Sequence, residues 1–305
     1  QGTVITLDMI KQSFDWIHDT GAGDTVRPIN IAIDEDGTKY VADYYLQQIF
    51  VYDKDNKFKR IFGNKNQFKP TDVALFEDKL FVVDTRDHEV EVLDKKTGEL
   101  LYIIGEPSQE EGGFFHPTNL SIDKEGNLYV TDTINCRVQK FDQEGNFMSA
   151  IGQCGDMIGD FARPKGNAVS PDGFIYVVDS AFENVQIFNP EGKSALFFGG
   201  WGDAMVPGAL WLPAGITITT DPVLMEFFSQ FKHRDFNMEY LVLVMSQYGP
   251  PYLNVYGFGN AKEGSRLAKG EVEIFDEEKN KPKSGSPDAA EEDNEDDQET
   301  PEEEK

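Results

Sequence analysis

Five prolines recur along this chain at Pro28, Pro70, Pro117, Pro164 and Pro213, and the residues before the first four are Arg27, Lys69, His116 and Arg163. Only the fifth, Leu212, is not basic. On a chain of formal net charge −27, four basic groups at one repeated position could hold an anionic ligand or a partner's carboxylates. Pairing of each with a neighbouring acid, for stability alone, fits the same pattern. A second chemical pair is Cys136 and Cys154, the two cysteines of the sequence. The four histidines are His18, His88, His116 and His233. A metal centre needs ligands converging within about 2.1 Å of one ion, and nothing in the histidine spacing demands that. No metal ligand set is therefore assigned, although calcium or zinc in a central channel stays open.

The elements that position these groups come from a repeat. The landmark prolines fall in steps of 42, 47, 47 and 49 residues, and glycines at Gly63, Gly105, Gly152 and Gly199 keep step with them. A period in the forties made of four short strands predicts a β-propeller blade. In the third copy, Asn119 to Ile122, Leu128 to Thr131, Arg137 to Phe141 and Phe147 to Ile151 read as strands. Asp123–Asn127 and Gln143–Asn146 supply the Asp, Asn and Gly that tight turns require. The expected fold is all-β, a propeller with blades near 27–63, 68–105, 114–152, 161–199 and 210–275. Residues 1–20 are expected to form a sixth, partial blade that closes the ring. In this arrangement the residue before each proline lies near one mouth of the channel. The hairpin of the third blade places Cys136 opposite Gln153, one residue from Cys154. A disulfide there and two free thiols are both compatible with the spacing.

The fifth copy carries an insertion of about twenty residues. Asp221 reads as a helix N-cap and Pro222 as the first helical residue. Leu224, Phe227, Phe228 and Phe231 then follow at i, i+3, i+4 and i+7 and share one helical face. Lys232, His233 and Arg234 are expected at its C-terminal end. This face either packs under the propeller as a plug or docks a protein partner. Strand order places it opposite the basic mouth.

Composition excludes several classes. The acidic balance argues against binding a nucleic acid backbone. No apolar run approaches the roughly 18 residues of a membrane helix. Residues 276–305 hold 14 Asp and Glu against 4 Lys and lack apolar periodicity, so that tail is expected to be disordered.

These copies resemble the NHL-repeat family of β-propellers. The resemblance spans roughly residues 24–260 and is most complete at Leu128-Tyr129-Val130-Thr131-Asp132 and Asn135-Cys136-Arg137-Val138-Gln139-Lys140-Phe141. The family's repeated Asp corresponds to Asp43, Asp84, Asp132 and Asp179. Its following Arg is kept only as Arg137, so an Asp–Arg bridge is expected in the third blade alone. The ending from Leu241 to Gly259 is similar to a bacterial, exported subgroup of six-bladed propellers, some of which accompany multihaem cytochromes. The resemblance thus implies a non-catalytic, periplasmic, cell-surface or extracellular scaffold that displays its loops to a protein partner. A second reading is a propeller hydrolase or lyase, of lactonase or amidating-lyase type, with a channel-bound metal. A third is the sensor domain of a larger receptor. The chain contains no Cys-x-x-Cys-His and attaches no c-type haem itself.

Overall fold

The computed structural model describes residues 4–8, 11, 13–17, 25–64, 67–200, 202, 208–248, 253–265 and 268. His18, residues 271–275 and the acidic tail 276–305 lie outside them. The fold is an all-β propeller. A hairpin of β1 (Ile5–Asp8) and β2 (Ser13–Trp16) precedes five blade sheets.

The first blade is β3 (Pro28–Ile33), β4 (Lys39–Asp43), β5 (Gln48–Tyr52) and β6 (Phe58–Phe62). The second is β7 (Pro70–Phe76), β8 (Lys79–Asp84), β9 (Glu89–Asp94) and β10 (Leu100–Ile104). The third is β11 (Pro117–Ile122), β12 (Leu128–Asp132), β13 (Arg137–Phe141) and β14 (Phe147–Ile151). The fourth is β15 (Pro164–Val169), β16 (Ile175–Asp179), β17 (Asn184–Phe188) and β18 (Ser194–Gly199). The fifth is three-stranded, with β19 (Pro213–Thr219), the helix α1 (Pro222–Ser229), β20 (Phe236–Ser246) and β21 (Leu253–Ala261). Every sheet is an antiparallel meander, and the first strands of consecutive blades lie side by side.

Burial follows the position of each strand. All five residues of β4, β12 and β16 are buried, because a middle strand is covered on both faces by adjacent blades. The outermost strands β10 and β14 expose most of their residues. The core is a set of layers between blades. Tyr40, Ile49 and Phe62 of the first blade meet Phe68, Val73 and Leu80 of the second. Tyr176, Val178 and Ile187 of the fourth meet Tyr240, Val242 and Val244 of the fifth. Val4 and Ile17, flanking the hairpin strands, pack on Val41, Phe50 and Tyr52.

The recurring glycine has a packing cause. A Cβ on Gly105, at φ +82°, would stand 2.3 Å from the ring of Phe114. Phe114 is fully buried and opens the third blade. The glycine ends one outer strand where the next blade's first aromatic must sit. Each landmark proline is followed by a register shift, as between Pro28 and Asn30 or Pro70 and Asp72. That irregularity changes which residues face the axis.

Asp221 caps α1 as its position implies, accepting hydrogen bonds from the backbone of Val223 and Leu224. The helix is shorter than the periodicity suggests. It ends at Ser229, so Lys232, His233 and Arg234 lie beyond its last turn and do not complement its dipole. None of its residues is buried. Phe227, Phe228 and Phe231 instead cluster on one another, with ring centroids 5.1–6.2 Å apart. Leu224 is half-buried and Phe231 exposed.

Candidate functional site

Each second strand ends in a residue paired with its blade's landmark proline: Pro28 with Asp43, Pro70 with Asp84, Pro117 with Asp132, Pro164 with Asp179 and Pro213 with Ser246. The four aspartates are completely buried. Asp43 accepts the N–H of Val26 and Arg27 in the incoming loop, at 2.7 and 3.0 Å. It also accepts Tyr45 and Leu46 of the outgoing loop, at 2.9 and 2.8 Å. Asp179 repeats this with Ala162, Arg163, Ala181 and Phe182. In the fifth blade the Ser246 hydroxyl takes over and accepts the Trp211 N–H at 3.3 Å. In the first four blades one buried carboxylate thus ties two loops to the same rim and fixes what they present.

Above that rim lies a cavity of about 550 Å³ to which all five blades contribute. The residues directly after the landmark prolines, Ile29, Thr71, Thr118, Lys165 and Ala214, all line it. Arg27, Tyr44, His116 and Asn119 add to the wall. Among the described residues no Asp or Glu lines it. Of the four basic residues singled out by sequence, Arg27 and His116 reach the cavity. Lys69 and Arg163 do not line it, although both act on it. The Lys69 ammonium lies 4.3 Å from the centre of the Tyr44 ring, and the Arg27 guanidinium lies 5.2 Å from it. Tyr44 is thus held by cations at its face. Arg163 is exposed, and its charge lowers the proton affinity of Lys165.

Sequence reading missed Lys165, Tyr44 and Thr71. The step after the proline carried the signal, since the bulge turns that residue to the axis in every blade. The Thr71 hydroxyl is buried without a partner. Burial, first, and the charge of Arg163, second, hold the Lys165 amine below its ordinary lysine range. Burial, and the nearby Lys165, His88 and Lys69, likewise keep His116 below the usual histidine value. Its imidazole is therefore held towards the neutral form. His116 has a left-handed backbone, φ +64°. Its N–H donates to Nδ1 of His88 at 2.7 Å, and His88 stacks on Phe115 with centroids 5.1 Å apart. Below the cavity, Asp72 accepts Val73 N, Leu120 N and Asn119 Nδ2. Complete burial nevertheless pushes its carboxyl up to about 7.

Cys136 and Cys154 form a disulfide, with Cα atoms 4.9 Å apart. The bridge joins the third blade's outgoing loop to the segment leading into the fourth. Among the described residues no three His, Cys, Asp or Glu side chains are placed to hold one metal ion. No helix of the described residues is long and apolar enough to cross a membrane.

No family model matches the chain. Over 73 residues it is 34% identical to a probable peptidyl-α-hydroxyglycine α-amidating lyase of Caenorhabditis elegans, a match covering 23% of this chain and 21% of that protein. The chain's match thus spans about a fifth of that relative's length. Among solved structures it is similar to virginiamycin B lyase from Staphylococcus aureus, with TM-score 0.51 and 12% identity over 80% of this chain and 74% of that one. A Bacteroides caccae protein of unknown function gives TM-score 0.58 and 10% identity, covering 88% of this chain and 92% of the other. One from Bacteroides thetaiotaomicron gives 0.55 and 17%, covering 81% and 62%. At these identities the structural likeness establishes the propeller and nothing finer.

Proposed function

We propose that this chain is an NHL-type propeller that captures a carboxylate-bearing peptide or protein segment at its channel mouth. One observation carries the reading: on a chain of net charge −27, a cavity walled by all five blades contains Arg27, His116 and Lys165 and, among the described residues, no carboxylate. A hollow with the Arg27 guanidinium on its wall, the Lys69 ammonium behind Tyr44 and no carboxylate among the described lining residues is a site of anion affinity. Arg27 supplies a planar donor fork suited to a carboxylate, and the Thr71 hydroxyl supplies a further bond. The blades hold these groups rigidly, so little ordering opposes binding. The hairpin β1–β2 then serves as the outer half of a sixth, closing blade. The disulfide supports an oxidising location, outside the cytosol. A cell-envelope partner presenting acidic groups suits the mouth, a multihaem cytochrome being one that the family resemblance implies.

Titration with a peptide ending in a free carboxylate tests this reading. The Arg27→Gln chain should bind it about tenfold or more weakly. Unchanged binding would overturn the assignment of the mouth.

A second reading is a lyase acting on such a peptide. It rests on the imidazole of His116 in the cavity wall, a side chain able to accept and return a proton, and on the partial match to an α-amidating lyase. Incubation with a peptidyl-α-hydroxyglycine distinguishes the two: amidated peptide in the mass spectrum, lost in His116→Gln, marks an enzyme. Recovery of intact substrate marks a binding module.

A further inference from the structure

The five residues that follow the landmark prolines form a ring around the mouth, and four of them, Ile29, Thr71, Thr118 and Ala214, are uncharged. Lys165 is the exception. No carboxylate of the described residues pairs with it, and it has no hydrogen-bond partner among them. A lysine facing a cavity without a counter-ion is costly as an ammonium and less so as an amine. Such an amine is a nucleophile, and desolvation beside another cation is the usual way to activate one.

We propose that Lys165 is a nucleophilic amine that forms a reversible imine with a small 2-oxo acid bound at the channel mouth. The proposal rests on the mouth being a carboxylate site and adds a covalent role to it. Arg27 would hold the ligand's carboxylate, leaving the adjacent carbonyl carbon exposed to Lys165. The amine lone pair attacks that carbon, a C–N bond forms, and the carbonyl π pair moves to oxygen, which takes a proton. The nitrogen loses a proton, and the resulting hydroxyl leaves as water with a second proton while the C=N bond forms. His116 lines the same cavity and can accept and return these protons. The charged or titratable groups facing Lys165 are Arg163 beside it on the chain, His116 from the third blade and Arg27 from the first. Of these, the Arg163 charge favours the neutral amine.

The test uses the full chain, pyruvate and borohydride, which delivers hydride to an imine carbon and fixes the adduct as a carboxyethyl-lysine. Peptide mapping should locate that group on Lys165, about tenfold ahead of Lys69, whose ammonium sits over the Tyr44 ring. Arg163→Ala should slow trapping and move its pH profile upward, because removing the neighbouring cation favours the ammonium. Lactate, which has the carboxylate but no carbonyl, should compete. Adducts spread evenly over the lysines, or none on Lys165, would overturn the proposal. If lactate still binds in that case, the carboxylate site stands and only the nucleophile is wrong. If neither acid binds, the mouth assignment falls as well.

Discussion

Asp132 and Arg137 face each other across β12 and β13, and the guanidinium Nε meets the buried Asp132 carboxylate at 3.0 Å. Arg137 also donates to the carbonyls of Glu110 and Gly113, at 2.6 and 3.0 Å. A single side chain therefore locks the loop that leads into His116. In the second blade the same register pairs Asp84 with Glu89. There the Asp84 Oδ2 atom is buried without a partner.

Removing the bridge leaves an uncompensated buried charge. Arg137→Ala should cost about 3 kcal/mol or more, read as a lower urea midpoint at unchanged slope. Arg137→Lys should recover only part of the loss, because an ammonium cannot reproduce the fork.

The second blade offers the converse. Glu89→Arg places a cation opposite Asp84, where two like charges now repel. An increase of about 1 kcal/mol in unfolding free energy is expected, with a higher midpoint in thermal unfolding. A destabilised variant would show that the slot has no room for the longer side chain.

Two buried acids give stability a pH dependence. Burial raises Asp72 to about 7, and burial together with the charges of Asp84, Glu89 and Asp87 raises Glu91 to about 7. A carboxyl raised in the folded state favours its neutral form. Its contribution is complete below the unfolded value near 4 and is lost as pH climbs through about 7. Stability should thus fall between about pH 4 and 7 relative to the Asp72→Asn, Glu91→Gln double variant. Urea midpoints across that range check the sign.

The disulfide closes a loop with a sequence separation of 18, for which chain entropy gives about 3 kcal/mol. Cys154→Ser should lower stability by that order, and reducing agent should have no further effect on the variant. Free-thiol counting of the unmodified denatured chain should find none.

The fold was largely legible in the repeat. Period, turn residues and landmark prolines each report local geometry that a propeller imposes on every blade. The Asp132–Arg137 bridge was legible only through the family resemblance, which implies it. The wall of the cavity was less so. The basic residues before the prolines attract the eye, yet a register shift follows each proline and turns the next residue, Lys165 in the fourth blade, to the axis. Tyr44 was hidden because a ring between two cations leaves no mark in spacing. Gly166 has a reason that only packing shows: a Cβ there would lie 2.7 Å from the carbonyl oxygen of Ala214 in the adjoining blade.

The mouth, free of acids among the described residues, is assigned as a carboxylate site. Calorimetric titration with one peptide in two forms, free C-terminal acid and C-terminal amide, tests it directly. The acid should bind about tenfold or more tightly, lose affinity as salt rises, and keep no advantage in Arg27→Gln. Equal binding of the two forms would contradict it.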